Sequence, residues 1–127
     1  CENMQDVPNN IKEVIIKLVN RVYRLLGKRV KKVVLYGSYA RGDYNSNSDI
    51  DIMFLTDLSD TEIIEYRDRI SDIAYDIEEE NNFDISISPL VKNIDKFNYW
   101  LGTLPFYNNV QKEGVDVSEY QNVKGIS

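Results

Sequence analysis

The stretch that decides the fold is Val33–Asp57, VVLYGSYARGDYNSNSDIDIMFLTD. An apolar run stops at Gly37 and Ser38, a polar loop follows, and a second apolar run carries Asp49 and Asp51. The first run, rich in Val, reads as a buried strand. In the second, Ile50, Ile52 and Phe54 alternate with Asp49, Asp51 and Met53. That is the period of a strand, and it puts both aspartates on one face about 6.6 Å apart along the chain. A core would place Val or Ile at these positions, so the two carboxylates need another reason.

Outward from this stretch the pattern is regular. Before it, Ile11, Val14, Ile15, Leu18, Val22, Leu25 and Leu26 fall at the three-and-four spacing of one helix face, with Pro8 and Asn9 as a start and Gly27 as a stop. After it, Ser59 to Glu79 repeats the spacing with Ile63, Tyr66, Ile70, Ile73, Ala74 and Ile77, and Ser59 or Asp60 is the expected N-cap. Asn81 and Asn82 make a turn. FDISISP then alternates Phe83, Ile85 and Ile87 with Asp84, Ser86 and Ser88, which predicts a third strand ended by Pro89. One or two short helices are expected in NIDKFNYWLGTLPFYNNVQKEG, and no pattern is assigned from Val115 onward. The aromatics Phe97, Tyr99, Trp100, Phe106 and Tyr107 are expected to pack against the sheet in preference to forming a docking surface. The element order predicts an α+β fold: one domain over residues 1–127, a small mixed β-sheet of three strands, and helices packed mainly on one side.

Composition narrows the chemistry. The chain has 127 residues, 43% apolar and 28% charged, which suits a globular core. It contains no histidine, which removes Ser-His-Asp and Cys-His mechanisms and leaves carboxylates, Lys, Tyr or metal. The one cysteine, Cys1, allows neither an intrachain disulfide nor a Cys-based zinc site. A net charge of -6 argues against a long nucleic acid as partner, because that binding rests on Lys and Arg neutralising phosphates. There is no apolar run of the roughly 20 residues a membrane helix needs, and CENMQDVPNN lacks the parts of a signal peptide. A cytoplasmic location and no membrane partner are the expectation.

An isolated Asp-Ile-Asp is better read as the solvent face of a one-sided sheet, and an isolated Gly-Ser as a plain turn. Together they point further. If the third strand lies beside the second, the strand spacing of about 4.8 Å brings Asp84 towards Asp49 and Asp51. Two unit charges about 4 Å apart repel by roughly 4 kcal/mol at an effective dielectric of about 20, so such a cluster calls for a cation. All-oxygen ligands favour a hard one, Mg²⁺ first. Gly37 and Ser38, where the first strand meets an expected helix start carrying Arg41, suit an anion such as phosphate.

These residues carry a resemblance. Gly and Ser, about ten residues, then Asp-x-Asp on a strand is similar to the signature of the nucleotidyltransferase superfamily shared with DNA polymerase beta. The wording GSYARG and SDIDI more closely resembles the minimal nucleotidyltransferases, many of them antitoxin partners of HEPN-domain toxins. The resemblance implies a nucleotidyltransferase fold. It implies that Gly37 and Ser38 hold the β- and γ-phosphates of ATP, with Arg41 neutralising charge. Asp49 and Asp51 would bind two Mg²⁺ ions, and Asp84 would be the third metal-binding and catalytic carboxylate. The expected activity is transfer of AMP from ATP to a hydroxyl of a HEPN-type partner protein. Two alternatives remain open: a toxin-binding module without chemistry, and a small-molecule nucleotidyltransferase that forms its acceptor cleft as a homo-oligomer.

Overall fold

The computed structural model describes residues 7–122. Cys1 and residues 123–127 lie outside the described residues, and so does most of the segment read for a signal peptide.

Helix α1 spans Asn9–Leu26, starting after Pro8 and stopping at Gly27, as its periodicity and end residues dictate. A short 3-10 turn leads into strand β1, Val30–Tyr36. A single helical turn, α2, Ser38–Arg41, and a polar loop then connect to β2, Ile50–Thr56. Helix α3 covers Asp60–Glu80. Its start is a capping box: the Glu62 N–H donates to Ser59 Oγ at 3.2 Å, and the Ser59 N–H donates to Glu62 Oε1 at 3.0 Å. Strand β3, Ile87–Asn93, is followed by α4, Ile94–Trp100, and α5, Pro105–Glu113. A short strand β4, Val115–Asp116, and a 3-10 turn over Ser118–Asn122 complete the described chain.

The sheet order is β3-β2-β1-β4. β1 runs antiparallel to both β2 and β4, while β2 and β3 are parallel with α3 as their crossover, so the sheet is mixed as expected. It has four strands, one more than the sequence suggested. β4 has only two residues, too few to show a period, and is held by burial of Val115 and Val117 and by pairing of Leu35 with Val115.

Alternation on the strands sorts the core into two layers. Val33, Leu35, Ile50, Ile52, Phe54, Ile87 and Val91 face α1 and α3 in the larger layer. Val34, Tyr36, Met53 and Leu55 face Phe97 of α4 and Val110 of α5 in a smaller one. The helices thus lie mainly on one side, and α4 and α5 cover part of the other. The expected aromatic packing divides accordingly. Phe97 is buried and Tyr107 half-buried, whereas Tyr99, Trp100 and Phe106 are exposed.

β3 begins where the sequence reading ended it. Asn82 and Phe83 both have left-handed φ, at 57° and 59°, and the Phe83 N–H donates back to the Glu78 carbonyl at 2.8 Å. The chain therefore leaves α3 through a left-handed turn over this segment, and an extended strand cannot start at Phe83. Glu78 Oε2 then accepts the Ile87 N–H at 2.8 Å, where pairing with β2 begins. Pro89 sits inside β3 without harm because β3 is an edge strand.

Candidate active site

β1 and β2 end at the site from opposite directions, with Tyr36 paired to Asp51 across the ladder. Gly37 follows with φ 79° and ψ −157°, a conformation open essentially to glycine alone. A Cβ added there would lie 2.2 Å from Asp51 Oδ2. The missing side chain is therefore what lets the carboxylate rest against the backbone.

Ser38 opens the single turn of α2. The N–H groups of Ala40 and Arg41 donate to the Gly37 carbonyl at 3.1 and 3.0 Å, and that of Gly42 to the Ser38 carbonyl at 2.8 Å. The loop beyond is tied down locally. Tyr39 and Tyr44 stack with ring centroids 4.7 Å apart. Asn45 Oδ1 accepts the Asn47 N–H at 2.8 Å, and Ser48 Oγ accepts the Asn45 N–H at 2.9 Å. The Ile50 N–H donates to the Ser86 carbonyl at 2.8 Å, which starts β2 directly after Asp49. Asp49 is thus exposed at the strand's mouth and Asp51 half-buried one pleat further in.

Burial, then the charge of Asp49, holds the Asp51 carboxyl above its ordinary range; Arg41 pulls it down and Glu113 adds to the rise. The Tyr36 hydroxyl is pushed up to about 12, first by burial and then by Asp51. Tyr36 is accordingly a neutral wall of the site. A second carboxylate beside a desolvated one, all-oxygen and short of compensating positive charge, is a donor set that suits a hard divalent cation. Arg41 contributes positive charge at the rim, its guanidinium held by Asp43 at 3.2 Å and by Glu113 at 3.2 Å.

The structure brings together Gly37, Ser38, Arg41, Asp49 and Asp51, but it corrects the place of Asp84. Because a left-handed turn at Asn82 and Phe83 follows α3, Asp84 falls before β3, exposed, its N–H donating to the Asn81 carbonyl at 3.0 Å. The β3 residue level with Asp51 is Ser88. Among the described residues, no three Cys, Asp or Glu side chains gather closely enough to hold a metal ion, so the three-carboxylate cluster is not formed. Asp84 instead lines a cleft with Tyr39, Ser48 and Phe83.

Two residues of the site were not foreseen. Ser88 is one, and register alone reveals it. Glu113, at the end of α5, is the other: its Oε1 accepts the Gly37 N–H at 3.1 Å across 76 positions of sequence. Nothing in local spacing signals such a contact.

Residues 15–117 match the family model described as Nucleotidyltransferase domain. Two relatives from Methanocaldococcus jannaschii are candidate protein adenylyltransferases. MJ0604 is 30% identical over 105 residues, 83% of this chain and 95% of its own; MJ0141 is 32% identical over 81 residues, 62% of this chain and 76% of its own. A crystal structure of a toxin-antitoxin with AMP-PNP superimposes with a TM-score of 0.47 at 22% identity, covering 89% of this chain and 82% of that one. No helix among the described residues is long and apolar enough to cross a membrane. With the family model spanning most of its length and a relative matched almost end to end, the chain belongs to the nucleotidyltransferase domain family and is a nucleotidyltransferase.

Proposed function

We propose that the chain transfers AMP from ATP to a hydroxyl of a protein partner, most specifically a HEPN-type toxin for which it is the antitoxin. The observation that carries the reading is Asp51 resting on the bare backbone of Gly37, which joins an acidic pair to a turn suited to phosphate. The protein acceptor is supported by the description of the relatives as candidate protein adenylyltransferases. The acidic balance of the chain disfavours a long nucleic acid in that role. The toxin partner rests on the wording GSYARG and SDIDI.

In this reading Gly37, Ser38 and Arg41 hold the β- and γ-phosphates and so fix the α-phosphorus in front of the aspartates. Asp49 and Asp51 would hold Mg²⁺, which when bound offsets the charge of the triphosphate and of the departing pyrophosphate. The acceptor oxygen forms a bond to the α-phosphorus, the bond from that phosphorus to the bridging oxygen breaks, and pyrophosphate leaves. The hydroxyl proton goes to Asp49, the exposed member of the pair. Tyr36, neutral and buried, keeps water from the inner side of Asp51.

The test is incubation of the protein, Mg²⁺ and the co-purifying partner with ATP labelled at the α- or the γ-phosphate. Label from the α position alone should remain on the partner, and should vanish with Asp49→Ala plus Asp51→Ala. Transfer of γ-label, or α-label that survives the double substitution, would sink the proposal. Neutralisation of a toxin that persists in the inactive variant would instead point to action by contact alone.

A further inference from the structure

Glu113 stands where a phosphate oxygen is expected. One oxygen of its carboxylate, Oε1, accepts the Gly37 N–H at 3.1 Å and lies 3.2 Å from Arg41 Nη1. A backbone N–H together with a guanidinium is the donor pair that holds phosphate oxygens in anion sites. The side chain is only 24% exposed. The Glu113 backbone is held close to Gly37 by the packing of the next residue. The Gly114 N–H closes the end of α5 on the Val110 carbonyl at 2.8 Å. A Cβ at Gly114 would lie 2.4 Å from both that carbonyl oxygen and Val34 Cγ1. The helix end is thus pressed flat on β1, and Glu113 is aimed at Gly37.

We propose that Glu113 is a built-in competitor for the triphosphate and the residue that sets nucleotide affinity. The inference rests on the reading of Gly37 as a phosphate-binding turn. One N–H has room for one acceptor at hydrogen-bond distance, so a phosphate oxygen and Glu113 Oε1 exclude each other on steric grounds alone. Charge sharpens the exclusion, since a carboxylate and a triphosphate repel. Rotation of the Glu113 side chain is enough to clear the amide and to free Arg41 Nη1 for the incoming phosphates, while Nε stays on Asp43. The affinity for ATP is then the intrinsic one reduced by the work of displacing Glu113.

The test is the Kd for metal-free ATP, measured by calorimetry on the full chain, for wild type, Glu113→Gln and Glu113→Ala. Gln keeps the shape and removes the charge; Ala removes the competitor. Thermal melts verify that each variant is folded, and Gln stands in should Ala not fold. Glu113→Ala should bind ATP about tenfold more tightly, a difference of about 1.4 kcal/mol, and Glu113→Gln, which still occupies the amide but no longer repels the triphosphate, by a smaller factor of about threefold. Unchanged or weaker binding by a folded Glu113→Gln overturns the proposal while leaving the nucleotide site intact. A fall in kcat with Kd unmoved does so too, because it would make Glu113 part of the chemistry. Failure of wild type and both folded variants to bind ATP at millimolar concentration, both without and with Mg²⁺, would overturn the nucleotide reading of the turn, and this inference with it.

Discussion

Gly37→Ala separates two reasons for glycine that coincide at one position. The first is conformational: at φ 79° and ψ −157° a residue with a Cβ is strained by about 1–3 kcal/mol. The second is steric. The new Cβ meets Asp51 Oδ2 at 2.2 Å, and pushing the half-buried carboxylate aside costs about 1–3 kcal/mol more, as overpacking does elsewhere. The sum is about 4 kcal/mol. For a domain of this size it corresponds to a fall in Tm of roughly 15 °C. The Asp51 Cβ lies 3.2 Å from the same point, so Asp51→Ala removes the severe contact and leaves a tight but adjustable one. In the Asp51→Ala background, Gly37→Ala should then cost only the conformational part, about 2 kcal/mol. Urea unfolding of the four proteins in the cycle measures the difference. A coupling of at least 1 kcal/mol is expected; a Gly37→Ala effect equal in both backgrounds within about 0.5 kcal/mol would refute the claim that the carboxylate rests on Gly37.

Ser59→Ala should lower stability by about 1 kcal/mol by opening the capping box of α3, seen as a shift of roughly 4 °C in Tm. Asp51→Asn should raise the Tm of the nucleotide-free protein, in line with the tension between stability and function at such sites. The sign follows from the carboxyl being held above its ordinary value. Its protonated form favours the fold, so that contribution is full below the ordinary carboxyl range and lost as pH rises through the elevated one; the gain from Asn should therefore be larger at pH 7 than at pH 4. Asp84→Ala should leave Mg²⁺ binding and transfer within about twofold of wild type, read by metal titration and by label transfer, since Asp84 is exposed and stands apart from the acidic pair.

Those elements whose signal is local were legible in the sequence. α1 and α3 each bury one stripe on the sheet, so their apolar spacing, their Pro8 and Ser59 starts and the Gly27 stop all refer to contacts within a few residues. β1 and β2 were legible for the same reason, through the runs that meet at Gly37 and the Asp-Ile-Asp alternation. β3 misled because FDISIS alternates as a strand should, while the two left-handed residues at Asn82 and Phe83 are decided by how α3 ends. Alternation records which residues would share a face if extended; it does not record where extension begins. Met53 shows the matching limit on faces. It shares a side with Asp49 and Asp51 yet is fully buried, because α4 and α5 cover that side beyond the aspartates.

The same distinction explains the site. Gly37, Ser38, Asp49 and Asp51 lie within fifteen residues at the facing ends of two strands joined by one loop, so spacing alone brings them to one end of the central strands. A third acidic group depends on a crossover of some thirty residues, and the left-handed turn that closes α3 is enough to remove Asp84 from it. The carboxylate that does arrive, Glu113, comes from a helix on the far side of the sheet from α1 and α3, and is delivered by the packing of Gly114 on Val34. It meets the Gly37 N–H and Arg41 rather than the aspartate pair. Reading charge from sequence can therefore count the acidic residues available to such a site. Which of them joins the acidic pair, and which meets the Gly37 N–H and Arg41, is fixed only by the strand register and the helix ends.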